Sequence, residues 1–306
     1  MRIGINGTGL VGRASVAAVV ADVARARDQG FSSYWLAEHP TGGFDALTVL
    51  ALAGQQVPDI ELGTAVIPTW PRHPMVLAGQ VNTVAGTLPG RLCLGIGLSH
   101  EVMMAELGIA FDKPIRHLRE YLEVLMPLIT AGEVDAQGAS ISCKAKLFRA
   151  PEQPCQVVVA ALGPQALKVA GTLADGVSLA WVGKKTIAEH IVPRLTEAAD
   201  AVGRPKPRVI ATLPICVTSD AASVRAHINR NLAMYGQLPS YRAMFEREGA
   251  SSPADIALVG SLAEVEAGLE ALRSAGVTDF AASAYALAPV DREATNDLIR
   301  KWATFS

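Results

Sequence analysis

Short apolar runs alternate with longer amphipathic ones along the whole chain. That pattern reads as a repeated βα unit, and therefore as an α/β fold with a parallel sheet. Eight runs have strand character: residues 2–6, 33–38, 61–67, 91–97, 156–161, 176–181, 209–217 and 277–284. Helical periodicity fills the intervals at 15–28, 45–56, 74–87, 115–130, 164–173, 186–202, 221–234 and 263–275, with a last helix at 291–302. Eight βα units are what a (β/α)8 TIM barrel requires. Two intervals are too long for a simple unit. Residues 107–154 hold a helix and then a hairpin-like ISCKAKLFRAP; residues 235–259 form a polar, Pro-bearing excursion. Both are expected as insertions at the C-terminal rim of the barrel. No linker, low-complexity tract or charge block marks a boundary, so residues 1–306 are read as one domain.

Composition narrows the partners. Half of the 306 residues are hydrophobic and 18% are charged, enough apolar surface for one large core. A formal net charge of −2 without a basic stripe argues against nucleic acid. The apolar run 14–24 is cut by Asp22 and Arg25, so it reads as a buried helix rather than a membrane or signal segment. A soluble, cytoplasmic protein is expected. Cys93, Cys143, Cys155 and Cys216 are far apart with no C-x-x-C, which predicts reduced thiols, no disulfide framework and no metal site. Cys93 and Cys216 lie inside apolar runs and read as small core hydrophobes.

The opening stretch MRIGINGTGLVGR imitates a dinucleotide-binding fingerprint. Gly7, Gly9 and Gly12 are spaced for a phosphate turn, and Glu38 stands near the end of the next run, where a ribose ligand belongs. The rest of the chain argues for a barrel. The repeat never breaks for a separate substrate domain, and strand after strand ends in polar or small residues: GING, LAEH, TAVIP, GIGLSH, VAALGP, AWVGKK. In a barrel those ends converge on one face. A nicotinamide dehydrogenase remains an alternative. Glyceraldehyde-phosphate dehydrogenases share an IGING start, but their catalytic Cys stretch has no counterpart around Cys143 or Cys155.

Three longer stretches resemble one family. WPRHPMVLAGQVNTVAGTLPGRLCLGIGLSH, VVVAALGPQALKVAGTLADGVSLAWVG and GSLAEVEAGLEALRSAGVTDF, with YWLAEH and ELGTAVIP, are similar in order and spacing to luciferase-like monooxygenases. Within them the chain most resembles the branch using the deazaflavin coenzyme F420. That resemblance implies a TIM barrel with a flavin-like tricycle across its C-terminal mouth. It also implies a bulged third strand carrying a non-proline cis peptide, here at Ala65 and Val66 after Thr64. The acid of the sugar-phosphate dehydrogenase branch has no match in the first βα loop, where Thr8 and Gly9 stand.

Candidate site residues follow from strand ends and resemblance together. Glu38 and His39 end the second strand. His39 is suited to donate to the ring or shuttle the proton accompanying hydride transfer; the bland alternative is a His capping the PTGGF loop beside a solvated acid. Asn6, Thr64, Ala65 and Val66 are expected around the cofactor. Gly97, Leu98, Ser99 and His100 combine small backbone with polar contacts, Ser99 doubling as a candidate N-cap for a helix starting at Glu101. Ala161, Leu162, Gly163 and Pro164 form a Gly-Pro helix start suited to a phosphate. Trp181, Val182 and Gly183 could flank that phosphate, with Lys184 and Lys185 a solvated pair. Arg72 and His73 line the mouth or serve position; Trp70, Phe44 and Tyr285 are candidate substrate walls. His117, His190 and His227 sit at surface-like helical spacing and carry no functional expectation.

The expected function is an F420-dependent oxidoreductase moving hydride between the cofactor and an organic small molecule, with His39 as proton donor. Alternatives are the same fold as an FMN-dependent monooxygenase, or a non-catalytic F420-binding barrel. The resemblance also implies a homodimer paired through helices on one side.

Overall fold

In a computed structural model the structure describes residues 1–153 and 155–304. In chain order the first elements are β1 (Arg2–Asn6), α1 (Val16–Asp28), β2 (Ser33–Leu36), α2 (Ala46–Gln56), β3 (Glu61–Thr64), β4 (Ile67–Pro68) and α3 (Pro74–Thr87). Then come β5 (Leu92–Gly97), α4 (Glu101–Glu106), α5 (Pro114–Thr130), β6 (Glu133–Ala136), β7 (Cys143–Lys146), β8 (Gln156–Val159), α6 (Pro164–Leu173), β9 (Gly176–Ala180), α7 (Lys184–Thr186) and α8 (Val192–Asp200). The last third is β10 (Arg208–Val217), α9 (Ala221–Asn231), α10 (Pro239–Glu248), β11 (Leu258–Gly260), α11 (Leu262–Ser274), β12 (Asp279–Ala284) and α12 (Pro289–Thr304). Sequence-local caps start several helices. Ser15, Asp45 and Asp220 accept amides of α1, α2 and α9, and Ser261 with Glu264 forms a capping box on α11.

Strand pairing closes on itself. β1 lies between β12 and β2; β3 and β4 link β2 to β5; β8 and β9 follow; β10 joins β9 to β12. All these pairings are parallel. Counting the interrupted β3/β4 as one, this is an eight-stranded TIM barrel. The short β11 adds only to the end of β10.

Alternation along each strand sorts side chains between two cores. Ile3, Tyr34, Leu36, Leu62, Leu94, Val157, Val177, Val209 and Phe280 face the helices in the larger apolar cluster. Trp35, Cys93, Val158, Ile210 and Ala281 form a separate inner cluster. Trp35 occupies so much of that interior that a Cβ on Gly63 would lie 2.2 Å from its ring. Below it the Arg208 guanidinium sits 6.0 Å from the ring centroid. Arg208 pairs with Glu61 at 2.8 Å and Asp279 at 2.9 Å, and Arg2 binds the same two carboxylates. These charges close the N-terminal floor. The four cysteines are free, with Cys93 and Cys216 buried as expected of core hydrophobes.

The insertions differ from expectation in place and form. The β6–β7 hairpin leaves the C-terminal end of α5, at the floor end of the barrel, and runs along the outer wall instead of the rim. Its tip is pinned by the buried Glu120 carboxylate, which accepts the Ala139, Ser140 and Ile141 amides. Pro154, the end of that interval, lies outside the described residues. The second excursion does return to the rim, but as the helix α10, whose Met244 and Phe245 are buried. The expected helix at 186–202 starts earlier and contains a π-turn at Ile187–Ile191, where the Val192 amide reaches back to Ile187 O. Pro193 has no N–H to give Glu189, so the regular ladder cannot run through that turn.

Burial alone raises the Asp279 carboxyl, but Arg208, the Thr278 hydroxyl and Arg2 together hold it below the usual carboxylate range. Removing Arg208 leaves Glu61 and Asp279 to share the more exposed Arg2. R208M is expected to lose about 1–3 kcal/mol at pH 7. A lowered carboxyl pKa gives stability present above its unfolded value and lost as pH falls through the folded one. The R208M deficit should therefore shrink as pH falls below about 4. Urea unfolding at both pH values measures it; a deficit independent of pH contradicts the assignment.

Candidate functional site

The strand tips surround one mouth, and its floor is the break between β3 and β4. The Ala65–Val66 peptide there is cis, at the position the resemblance implies. The Ala65 amide donates to Leu36 O at 2.9 Å and Glu38 N to Val66 O at 3.3 Å, so β2 holds the bulge from one side. From the other side the Thr64 hydroxyl donates to Gly95 O and accepts Gly95 N, both at 2.8 Å. Thr64 is fully buried, so its side chain braces the bulge and does not reach the mouth. Gly95 and Gly97 serve the same packing. A Cβ on Gly95 would lie 2.0 Å from Thr64 O, and one on Gly97 would lie 2.7 Å from a Val66 methyl. Their lack of side chains makes room for the bulge rather than for a ring.

Glu38 and His39 part company at the end of β2. Glu38 Oε1 pairs with Arg72 at 3.0 Å and Oε2 accepts the Ala46 amide at 3.1 Å. Burial pushes its carboxyl above the ordinary range despite both partners. It is an anchor, neither a solvated neighbour nor a free acid. Arg72 also pairs with Asp45 at 3.0 Å, and His73 Nδ1 accepts the Met75 amide as the N-cap of α3, so both residues serve position. His39 is half-buried, and among the described residues no hydrogen bond holds its imidazole. Its electrostatic neighbour is His100, which burial first and then His39 keep below the usual histidine pKa.

His100 follows Leu98 and Ser99 at the tip of β5. It is the N-cap of α4 without a side-chain bond, and Ser99 Oγ turns instead to Met103 Sδ at 3.6 Å. Ser99 and Trp181 both have left-handed backbone, φ 59° and 56°, which L side chains adopt only where surroundings dictate it. An aromatic chain crosses the mouth from one to the other. His100 lies 5.8 Å from Tyr241, Tyr241 5.0 Å from Tyr235, and Tyr235 5.6 Å from Trp181. Both tyrosines come from the excursion around α10. Tyr285 faces His227 at 6.1 Å. Trp70 stacks on His117 at 3.7 Å, with Thr69 Oγ1 3.0 Å from His117 Nε2. His117 is therefore a buried ring, not a surface one, and burial holds its pKa at about 4. Across the barrel, Asn6 Oδ1 accepts the Thr8 amide and Nδ2 approaches Thr212 Oγ1 at 3.5 Å.

Two helices begin side by side at the remaining tips, and they differ. The amides of Lys185 and Thr186 at the head of α7 donate to the Glu248 carboxylate at 3.1 and 2.7 Å. Trp181, Val182 and Gly183 are buried, and a Cβ on Gly183 would lie 2.2 Å from Glu248. That anion position is filled by the chain itself, contrary to the expected phosphate-flanking role. At α6 no side chain caps the helix whose N-cap is Gly163, Pro164 takes the first turn, and the space a Gly163 Cβ would enter is open. Ala161 is buried, while Leu162 and Gly163 are half-buried.

Residues 3–279 match the model of the luciferase-like monooxygenase family. The chain belongs to that family. Among luciferase-like relatives, an F420-dependent glucose-6-phosphate dehydrogenase of Kineococcus radiotolerans is 30% identical over 215 residues, 66% of this chain and 64% of that protein. The match thus spans just under two thirds of that relative's length. A 5,10-methylenetetrahydromethanopterin reductase of Methanolobus tindarius is 26% identical over 267 residues, 86% of this chain and 79% of the relative. The coenzyme F420-dependent tetrahydromethanopterin reductase structure from Methanopyrus kandleri superposes with a TM-score of 0.81 at 21% identity, covering 98% of this chain and 97% of that one. The luciferase-like barrel is shared; the opening glycines are not a dinucleotide turn. A Cβ on Gly7 would lie 1.9 Å from the Tyr34 hydroxyl, so Gly7 makes way for a core tyrosine.

His39 helps to lower the His100 pKa, which gives a direct check of their proximity. In H39N the His100 pKa is expected to rise toward its ordinary value, remaining below it because burial persists. Histidine Cε1 resonances followed through a pH titration report it; an unmoved His100 means the two rings do not share the mouth.

Proposed function

We propose that this chain is an F420-dependent oxidoreductase acting on an organic small molecule at the C-terminal mouth. The observation that carries the reading is the contrast between adjacent helices: Glu248 fills the head of α7, while the head of α6 is left without a side-chain acceptor. An open helix N-terminus on a barrel rim favours an anion, and a phosphate-bearing cofactor supplies one. The residues present fit such a group. Ala161, Leu162, Gly163 and Pro164 would hold its phosphate, and the bulge at Ala65 and Val66 with Leu98 and Ser99 would face its ring. When bound, a deazaflavin supplies or accepts a hydride at its central ring. His39, whose imidazole has no hydrogen-bond partner among the described residues, holds the proton that balances that transfer, with His100 beside it. Glu38 and Arg72 fix the backbone that carries His39. Tyr235, Tyr241 and Trp181 exclude water above the strand tips.

Absorbance titration with F420 and with FMN tests the cofactor. F420 is expected to bind at least about tenfold more tightly, a difference of about 1.4 kcal/mol; tight FMN with no F420 binding reverses the choice. With an acceptor that wild type turns over, H39A is expected to lower kcat by about 10²-fold while leaving F420 affinity within about twofold. A barrel that binds F420 but reduces no acceptor, and whose H39A variant behaves like wild type, is the non-catalytic alternative.

The reading extends to a second copy of the chain. Neither α2 nor α3 contains an Asp, Glu, Lys or Arg, and Leu52 and Val76 are exposed on them. An uncharged helical face of this kind suits an isologous dimer. Sedimentation is expected to give a dimer that L52E/V76E dissociates; a monomeric wild type contradicts it.

A further inference from the structure

His190 lies on the π-turn, 2% exposed, with Nε2 2.8 Å from Leu162 O. Sequence spacing places it on the surface; the wider turn before Pro193 instead aims it at the strand tip that precedes α6. Its Nδ1 is buried and has no hydrogen-bond partner among the described residues. A carbonyl oxygen can only accept, so Nε2 carries the proton and Nδ1 is bare. Burial favours that neutral form, and the Arg247 and Arg194 charges add to it.

The consequence is geometric. The Leu162–Gly163 peptide is trans, so its C=O and N–H point in opposite directions. Fixing Leu162 O against His190 turns the Gly163 N–H away from His190. Gly163 is half-buried, and the space beside its α-carbon is open. We propose that His190 is a positioning residue for the phosphate turn: its Nε2–H fixes the Leu162 carbonyl so that the Gly163 amide joins the open end of α6 in receiving a cofactor phosphate. This rests on the reading of α6 as the anion site. It assigns the geometry of that site to a side chain on another helix, and it gives the buried His190 Nε2–H a use.

The test separates phosphate from ring. Wild type, H190L and H190Q are titrated with F420 and with the same deazaflavin ending at the ribityl hydroxyl, without phosphate. A glutamine Nε2 can donate where the histidine Nε2 does, whereas leucine cannot. H190L is expected to lose about tenfold in F420 affinity, the order of one lost hydrogen bond to a charged group, and to bind the phosphate-free ligand within about twofold of wild type. H190Q is expected to recover most of the loss. Equal wild-type affinity for the two ligands overturns the anion-site reading beneath the proposal. A wild-type preference for the phosphate that H190L retains, or an H190L loss equal for both ligands, overturns the positioning role alone. Should H190L fail to fold, nitrogen-15 spectra of wild type decide. An Nε2–H tautomer and a Gly163 amide that shifts with F420 but not with the phosphate-free ligand support the role; an Nδ1–H tautomer or an unmoved Gly163 amide overturns it.

Discussion

The packing of Trp35 inside the barrel is the constraint on which the remaining structure depends. A closed ring of eight strands encloses a narrow column, and one indole fills much of its middle layer only because Gly63 leaves space beside it. Arg208, Arg2, Glu61 and Asp279 then seal the floor with paired charges that hydrophobic side chains could not supply at a solvent boundary. With the column filled and the floor shut, the strands offer one open end. Every βα loop that could hold a ligand is directed to it.

At that end the side chains divide by whether the protein already satisfies them. Thr64, Glu38, His73 and Glu248 have side-chain atoms engaged by backbone, and Arg72 Nη2 is held between Glu38 and Asp45. They build the frame. The His39 imidazole and the head of α6 are left open by the chain itself. Groups that the protein leaves unpaired in a concave, aromatic-lined mouth are the ones available to a ligand, and these two stand apart at the tips of β2 and β8, with β3, β4 and β5 between them.

The barrel was legible because its cause is local: a βα repeat of eight units and strand ends rich in small and polar residues. The family was legible in ordered motifs, GIGLSH and ALGP above all, and not in composition. Other features are written in contacts that no local pattern encodes. Thr64 has the residue type of a site but turns into the sheet because Gly95 offers it both a donor and an acceptor. Tyr235 and Tyr241 lie in an excursion whose polarity suggests a solvated loop; Pro239 at the start of α10 was the available signal of a helix. A regular helix puts His190 at the surface; Pro193, which the ladder cannot accommodate, is the residue that marks the wider turn. The β6–β7 hairpin was visible as a strand pair, but its place on the outer wall depends on Glu120, far from it in sequence.

Diffraction from crystals of the chain soaked with F420 tests the site directly. The tricycle is expected over the bulge at Ala65 and Val66, with His39 beside its reacting edge and the phosphate on the Gly163 amide at the head of α6. A cofactor bound at the barrel floor, or with its phosphate at the head of α7 in place of Glu248, contradicts that placement.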